Sequence, residues 1–297
     1  CLGLANVPEP SSLARQFEPD ELRVHHPAWK AGVPRDRMAG WDFEDIRDYY
    51  LRDLTGSDPF LLRYSDHERY LSLSRRVSAE LMGAVMRTWR VAAACGGALV
   101  WTGQDLVRGA GWGLLDCDGR PKAPYYALAR IWQPVAVLLL DQGLDGLQVV
   151  LVNDTSEPVE GELRLSAWTW LGALIAEAQQ QVGVAARSSR KENVEDLFGA
   201  FLDLTRAYRY GPVAVDLVQA SFVAPGLQRY DSYLPAQLRA PITGPRISAE
   251  VVDRHGHGVS LRLRTERPVA AVSLDCDAWQ PDDSYFALVP SEERIVH

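Results

Sequence analysis

Trp101 opens the stretch with the most chemical potential, because an indole is followed at once by polar, glycine-rich chain: Thr102, Gly103, Gln104 and Asp105, then Gly109, Gly111 and Gly113. Gly97–Trp101 is a short apolar run that reads as a buried strand. An aromatic at the carboxyl end of such a strand, followed by an irregular loop, is how parallel α/β enzymes build sites. Asp105 and Asp116 would make an acid/base pair only if their surroundings drove their pKa values apart. Nothing in the sequence does so, and Asp116 precedes a DG-type turn. His25 and His26 are adjacent, so they converge poorly on one ion, and no third ligand is evident. An N-terminal Cys1 nucleophile with its own α-amine as base lacks the rest of that machinery. His255 and His257 flank a hairpin glycine and read as solvent-exposed turn.

The elements that must hold Trp101 are helical. WDFEDIRDYYLRDL (Trp41–Leu54) places Phe43, Ile46, Tyr50 and Leu54 on one stripe, with Asp42, Glu44 and Asp45 complementing the dipole of the first turn. Gly56 and Pro59 end it. Ser65-Asp66-His67-Glu68 matches a capping box and opens a long helix to about Arg90, with Tyr70, Leu73, Val77, Leu81, Val85 and Trp89 as its apolar stripe. Ser11 or Ser12 caps a short helix to about Phe17, and Pro124 opens another to about Trp132. Residues 66–132 therefore read helix, strand, long loop, helix, a piece of a parallel β/α fold. A parallel strand needs partners on both sides and cover on both faces. Residues 1–135 offer one convincing strand, so its companions are expected in preceding chain, and the sequence reads as the C-terminal part of a longer polypeptide.

After Pro134 the pattern changes. Val135–Leu140, Leu147–Asn153 and Gly161–Trp168 are strands, and such spacing suggests an antiparallel sandwich. Residues 171–200 fit either strands or helix. Phe201–Phe222 reads as two strands around Gly211-Pro212. A linker over Pro235–Pro245 leads to Arg246–Val252, Val259–Thr265 and Val269–Cys276, a second small all-β unit. The expected division is 1–134, 135–240 and 241–297.

The 297 residues carry a net charge of −8 and a pI near 5.3, which disfavours nucleic acid or an anionic membrane as partner. No apolar run approaches a membrane span of ~20 residues, and no signal peptide is evident. Cys1, Cys95, Cys117 and Cys276 lie far apart, which suits free thiols in a reducing, cytoplasmic setting. Nine Trp and eleven Tyr suit either sugar-binding faces or a large core.

Several segments carry a family resemblance. GGALVWTGQDL…GWGLLDCDGRPKAPYY (Gly96–Tyr126) resembles the eighth barrel strand and following segment of bacterial β-mannosidases of glycoside hydrolase family 2. HPAWKAGVPRDRMAGWDFEDIRDYYL (His26–Leu51) resembles their long insertion after the seventh strand. RYLSLSRRVSAELMGAVMRTWR (Arg69–Arg90) resembles the seventh helix, and DDSYFALVPSEER (Asp282–Arg294) resembles the terminal sandwich signature. Thr102 and Gly103 replace the family's usual Gln and aliphatic residue, and Ser74-Arg75 with Ser78 stands in place of an SQ…Q pattern.

The resemblance implies a multidomain α/β plus all-β fold: the C-terminal portion of a (β/α)8 barrel followed by two immunoglobulin-like β-sandwich domains. It implies a retaining exo-glycosidase acting on terminal β-mannosides without a cofactor or metal, with carbohydrate and the preceding part of the polypeptide as partners. Trp101 would form the floor of the sugar subsite. Asp105 would hold a sugar hydroxyl or cap its loop, and Gln104 would lie beside it. Trp41 and Trp29 lie in the substrate-side loop, where packing competes with binding. The nucleophile Glu is expected at or just before Cys1, and the acid/base Glu earlier in the chain. A non-catalytic carbohydrate-binding or structural module, and a β-galactosidase or β-glucuronidase of the same family, are the other readings.

Overall fold

The computed structural model describes residues 3–92, 94–209, 211–239, 247–256 and 258–297. Cys1, His257, the His255 side chain and the 240–245 part of the expected linker lie outside this description. The chain forms two compact units: Cys1–Val85, Gly97–Leu128 and Ser273–Tyr285 in the first; Met86–Gly96, Ala129–Val272 and Phe286–His297 in the second.

The first unit is helical. Helix α1 (Pro10–Gln16) starts on Glu9 with Pro10 in its first turn, so neither Ser11 nor Ser12 is the cap. Helix α2 (Pro27–Lys30) is capped by His26, whose Nδ1 accepts the Ala28 N–H at 3.2 Å. Helix α3 (Phe43–Thr55) opens on a capping box between Asp42 and Asp45 and closes on Gly56 in the left-handed region at φ 69°. A helix absent from the sequence reading, α4 (Pro59–Ser65), follows. Helix α5 (His67–Val91) begins one residue later than its capping box suggests, with the Asp66 carboxylate accepting the Arg69 N–H at 3.0 Å. Helix α6 spans Ala123–Ile131.

Two faces differ from the expected stripes. On α3 the buried residues are Glu44, Arg47, Asp48 and Leu51, while Phe43, Ile46, Tyr50 and Leu54 are only half-buried. Charge goes inside because it is paired there. Glu44 accepts from Trp29 Nε1 at 2.9 Å and from Lys30 at 2.6 Å; Arg47 donates to the Ala5 carbonyl at 3.0 Å and to the Tyr70 hydroxyl at 2.6 Å. Asp48 pairs with Arg63. Burial opposes the Arg47 charge, and Tyr70, Glu44 and Asp48 outweigh it, holding the guanidinium above its usual range. On α5 the buried face includes Ser74 and Ser78, whose hydroxyls donate to the carbonyls of Tyr70 and Ser74.

Residues 97–101 correct a larger expectation. They form no β-ladder, and Leu99 and Trp101 are 88% and 64% exposed. A strand is defined by its neighbours' hydrogen bonds, and no strand of the first unit supplies them among the described residues.

The second unit is antiparallel. Strands β1 (Val135–Asp141), β2 (Leu147–Asn153) and β5 (Ser188–Asn193) form one sheet in the order β1-β2-β5. Strands β3 (Val159–Trp168), β4 (Leu174–Val184), β6 (Leu217–Ala224) and β7 (Leu227–Tyr233) form another in the order β4-β3-β6-β7. Val137, Leu139, Val149 and Leu151 of the first sheet pack with Leu163, Leu165, Val218, Ala220 and Phe222 of the second, at the two-residue spacing a pleat imposes. Residues 171–200 thus resolve into β4, β5 and the short helix α7 (Val194–Phe198). The expected pair of strands over 201–222 becomes one, β6; its hairpin partner is β7, and the described residues 201–209 and 211–215 form no strand. Strands β8 (Ile247–His255), β9 (Gly258–Thr265) and β12 (Arg294–Val296) form a third sheet, and β10 (Val269–Val272) pairs with β11 (Phe286–Leu288). The strand expected to reach Cys276 stops at Val272.

Candidate functional site

The loop after Trp101 is built on a buried ion pair. Lys122 is fully buried and its ammonium meets one Asp105 oxygen. The other oxygen accepts the Gly113 N–H at 2.6 Å. Lys122 also donates to the Asn6 carbonyl at 2.9 Å, and the Asn6 amide donates to the carbonyls of Trp112 and Gly113 at 3.0 and 3.3 Å. Burial draws the Lys122 pKa down, and Asp105 opposes that. Glycine is required twice: a Cβ on Gly111 would stand 2.3 Å from Asp105 Oδ1, and one on Gly113 would stand 2.5 Å from the Asp105 nitrogen. Asp105 therefore organises this loop, and its carboxylate is committed to protein partners.

Trp101 remains on the surface, with a cis peptide to Thr102. The Thr102 carbonyl accepts the Leu114 N–H at 3.3 Å, and Gln104 pairs in parallel with Leu115. The Trp112 ring meets Phe43 edge-on at 5.0 Å between centroids, and Phe43 meets Trp41 at 5.6 Å. Gly3 fits beneath these rings because a Cβ there would lie 2.9 Å from Phe43 and 3.2 Å from Trp112 Nε1.

Trp101, Gln104 and Asp105 lie on this one loop, and Trp41 packs on Phe43, which meets Trp112 of the same loop. Gln104 is exposed and donates to the Cys117 carbonyl at 3.4 Å. Trp41 is 42% exposed. Trp29 stands apart: it is completely buried, packs on Phe17 at 5.6 Å and gives its indole N–H to Glu44. Packing is what its position serves. Asp116 accepts the Asp118 and Arg120 N–H groups at 2.9 Å each, as a turn residue does. Lys122, Asn6 and Trp112 were not singled out in the sequence, and Phe43 was read only as part of a helix stripe. The paired small residues around Trp112, in GAGWG, are the one signal that could have shown a crowded loop there.

The Glu9 carboxylate is perturbed. Glu9 is 7% exposed and its two oxygens lie 2.7 and 2.9 Å from the Tyr285 hydroxyl, which donates to it. Burial pushes its pKa up to about 7, with Arg75 pulling the other way and Asp275 and Asp116 adding to the rise. Arg75 itself donates to the Pro8 carbonyl at 2.7 Å. Among the described residues Cys117 and Cys276 are free thiols, no cluster of His, Cys, Asp or Glu could hold a metal, and no helix is long and apolar enough to cross a membrane.

Residues 145–210 match the family described as Mannosidase Ig/CBM-like domain. A 77-residue stretch is 42% identical to Beta-mannosidase B of Aspergillus niger, covering 25% of this chain and 9% of that protein. The fold of 99% of the chain superimposes on 34% of the Beta-D-Mannosidase of Dictyoglomus thermophilum with a TM-score of 0.78 at 16% identity. It superimposes over 98% of its length on 38% of the Amycolatopsis orientalis exo-chitosanase CsxA with a TM-score of 0.72 at 14% identity. The chain spans about a third of the length of these two structures. The chain is thus similar to the C-terminal part of a family 2 β-mannosidase, in agreement with the resemblance of its motifs.

Proposed function

We propose that this chain is the C-terminal part of a retaining, exo-acting β-mannosidase. The observation that carries the reading is the stretch 42% identical to a β-mannosidase, and the end-to-end fold likeness supports it. In this reading Gly97–Trp101 is the eighth strand of a (β/α)8 barrel whose other strands belong to preceding chain. The exposure of Leu99 and Trp101 leaves this run uncovered on the side where such strands would pair. The division 1–134, 135–240 and 241–297 then corresponds to barrel end, sandwich and small terminal sandwich.

The chemistry is double displacement. Two glutamates about 5–5.5 Å apart act as nucleophile and acid/base, forming and then hydrolysing a glycosyl-enzyme. The nucleophile belongs at or just before Cys1 and the acid/base on an earlier strand end. The residues in hand position and bind. Trp101 lays its indole under the sugar ring, with Gln104 at the rim and Trp41 on the substrate side. Asp105 fixes the loop through Lys122 and Gly113. Trp29 holds Glu44 and, through it, Arg47, which grips the Ala5 carbonyl on the segment leading from the nucleophile. The sandwich domains buttress the barrel or extend glycan binding.

The test is a panel of aryl β-mannoside, β-galactoside, β-glucuronide and β-glucosaminide on the intact polypeptide. Preferential turnover of the mannoside is expected. Preference for another glycoside transfers the site to that sugar, and no turnover of any of them favours a non-catalytic carbohydrate-binding module.

A further inference from the structure

Residues 273–285 form a strap without helix or strand that belongs to the first unit, and 275–280 within it are exposed. Side chains tie it down where no ladder does. Asp275 accepts the Ser11 N–H at 2.8 Å and the Ser11 hydroxyl at 2.5 Å. Arg120 donates to the Cys276 and Asp277 carbonyls at 2.8 Å each, and Arg15 pairs with Asp277. The Ser284 hydroxyl accepts the Leu274 N–H at 2.9 Å, closing the strap on itself. Tyr285, at its end, packs against Ala79, Ala123 and Ala127 and donates its hydroxyl to Glu9. Among the described residues Tyr285 is the only hydrogen-bond donor to the Glu9 carboxyl, which is in no ion pair. The groups facing Glu9 are unequal. Arg75 on α5 attracts a charge there, but its Nε is given to the Pro8 carbonyl; Asp275 on the strap and Asp116 in the turn before α6 repel one. Arg120, Tyr126, Asp275, Cys276 and Trp279 line with Glu9 a cavity of about 20 Å³, room for one water and too little to hydrate a carboxylate.

We infer that the strap over 273–285 is a pH-sensitive closure, shut on Glu9 while that carboxyl keeps its proton and lifting when the proton leaves for solvent. Lifting hydrates the new charge and carries Asp275 away from it. Burial beneath the closed strap pushes the Glu9 pKa up to about 7, and hydration under an open one returns it towards 4.5. The open population is therefore lowest below about pH 4.5, grows as pH rises and levels above 7, by up to roughly 300-fold in all. An exposed segment without a ladder is of the low-stability kind from which moving elements are drawn. Nothing in this closure depends on the proposed glycosidase activity.

The experiment is limited proteolysis of the intact polypeptide at about pH 5.5 and 8 with a protease that cuts before aspartate, following cuts at Asp275 and Asp277 by mass spectrometry. Each rate is divided by that of a free peptide with the sequence of residues 269–290, which removes the pH dependence of the protease, so that with fast reclosure the ratio reports the open population. Between the two pH values the ratio is expected to rise roughly thirtyfold in the parent and to stay level in Glu9→Gln. Tyr285→Phe is expected to raise it already at the lower pH, while cuts before Asp48, buried on α3, stay slow throughout. A ratio level with pH in the parent, the same rise in Glu9→Gln, or an unchanged ratio at the lower pH in Tyr285→Phe overturns the closure. So does cutting at Asp48 that rises in step with the strap, because the whole unit would then be opening.

Discussion

Lys122 and Asp105 form an ion pair in which neither partner has appreciable access to water, the ammonium being fully buried and the carboxylate 7% exposed. Removing one partner from such a pair strands the other. Lys122→Met is expected to cost about 3–5 kcal/mol of stability, whereas the double variant Lys122→Met with Asp105→Asn recovers part of that loss. Urea denaturation of the four proteins of this cycle checks it. Additive losses would mean that the two side chains do not depend on each other.

Gly111→Ala tests the same loop from its backbone. The added methyl would stand 2.3 Å from Asp105 Oδ1, so the carboxylate must move. Destabilisation of roughly 1–3 kcal/mol is expected. A thermal melt unchanged from the parent would show that the loop yields without cost.

Trp29→Ala should behave as a core deletion, losing about 3–5 kcal/mol, because the ring is wholly buried and its N–H is used by Glu44. Trp29→Phe keeps most of the volume and loses the donor, so a smaller loss is expected. In the intact polypeptide, KM for an aryl mannoside should stay near the parental value in Trp29→Phe. A large rise in KM with little loss of stability would put Trp29 in the sugar site after all.

Glu9 sets a pH dependence. Its folded pKa is raised from 4.5 to about 7, so between those values the folded chain holds a proton that the unfolded chain has released. Its contribution is therefore greatest below about pH 4.5, declines as pH rises through 7 and is level above. The decline amounts to about 3 kcal/mol at 1.36 kcal/mol per pH unit. Glu9→Gln removes that component. Denaturation midpoints across pH 4–8 report it, and parallel parent and variant profiles would contradict the assignment.

Much of this architecture was legible from the sequence, and the exceptions have physical causes. Alternation in Gly161–Trp168 marked β3, and the Asp42/Asp45 turn marked the start of α3. The interior face of α3 was misread because Glu44, Arg47 and Asp48 are charged, and only their partners Lys30, Arg63 and Tyr70, distant in sequence or on other helices, make burial tolerable. The polar strand β7, LQRYDSY, has no apolar pattern; its place comes from the ladder with β6 and from Asp231, which takes both Arg87 and the Leu139 N–H. Gly97–Trp101 erred the other way: its composition favours a strand, but a strand also needs neighbours. At the site, Trp101 and Asp105 were visible as types, whereas Lys122 was not, since a lysine in a PKAPYY segment gives no sign of being buried.

Trp101→Ala in the intact polypeptide, assayed with an aryl β-mannoside, bears most directly on the reading of this chain as the sugar-holding end of a β-mannosidase. A fall in kcat/KM of at least about tenfold, or 1.36 kcal/mol of transition-state stabilisation, is expected, with the folding transition unchanged. Parental kcat/KM in that variant would contradict it.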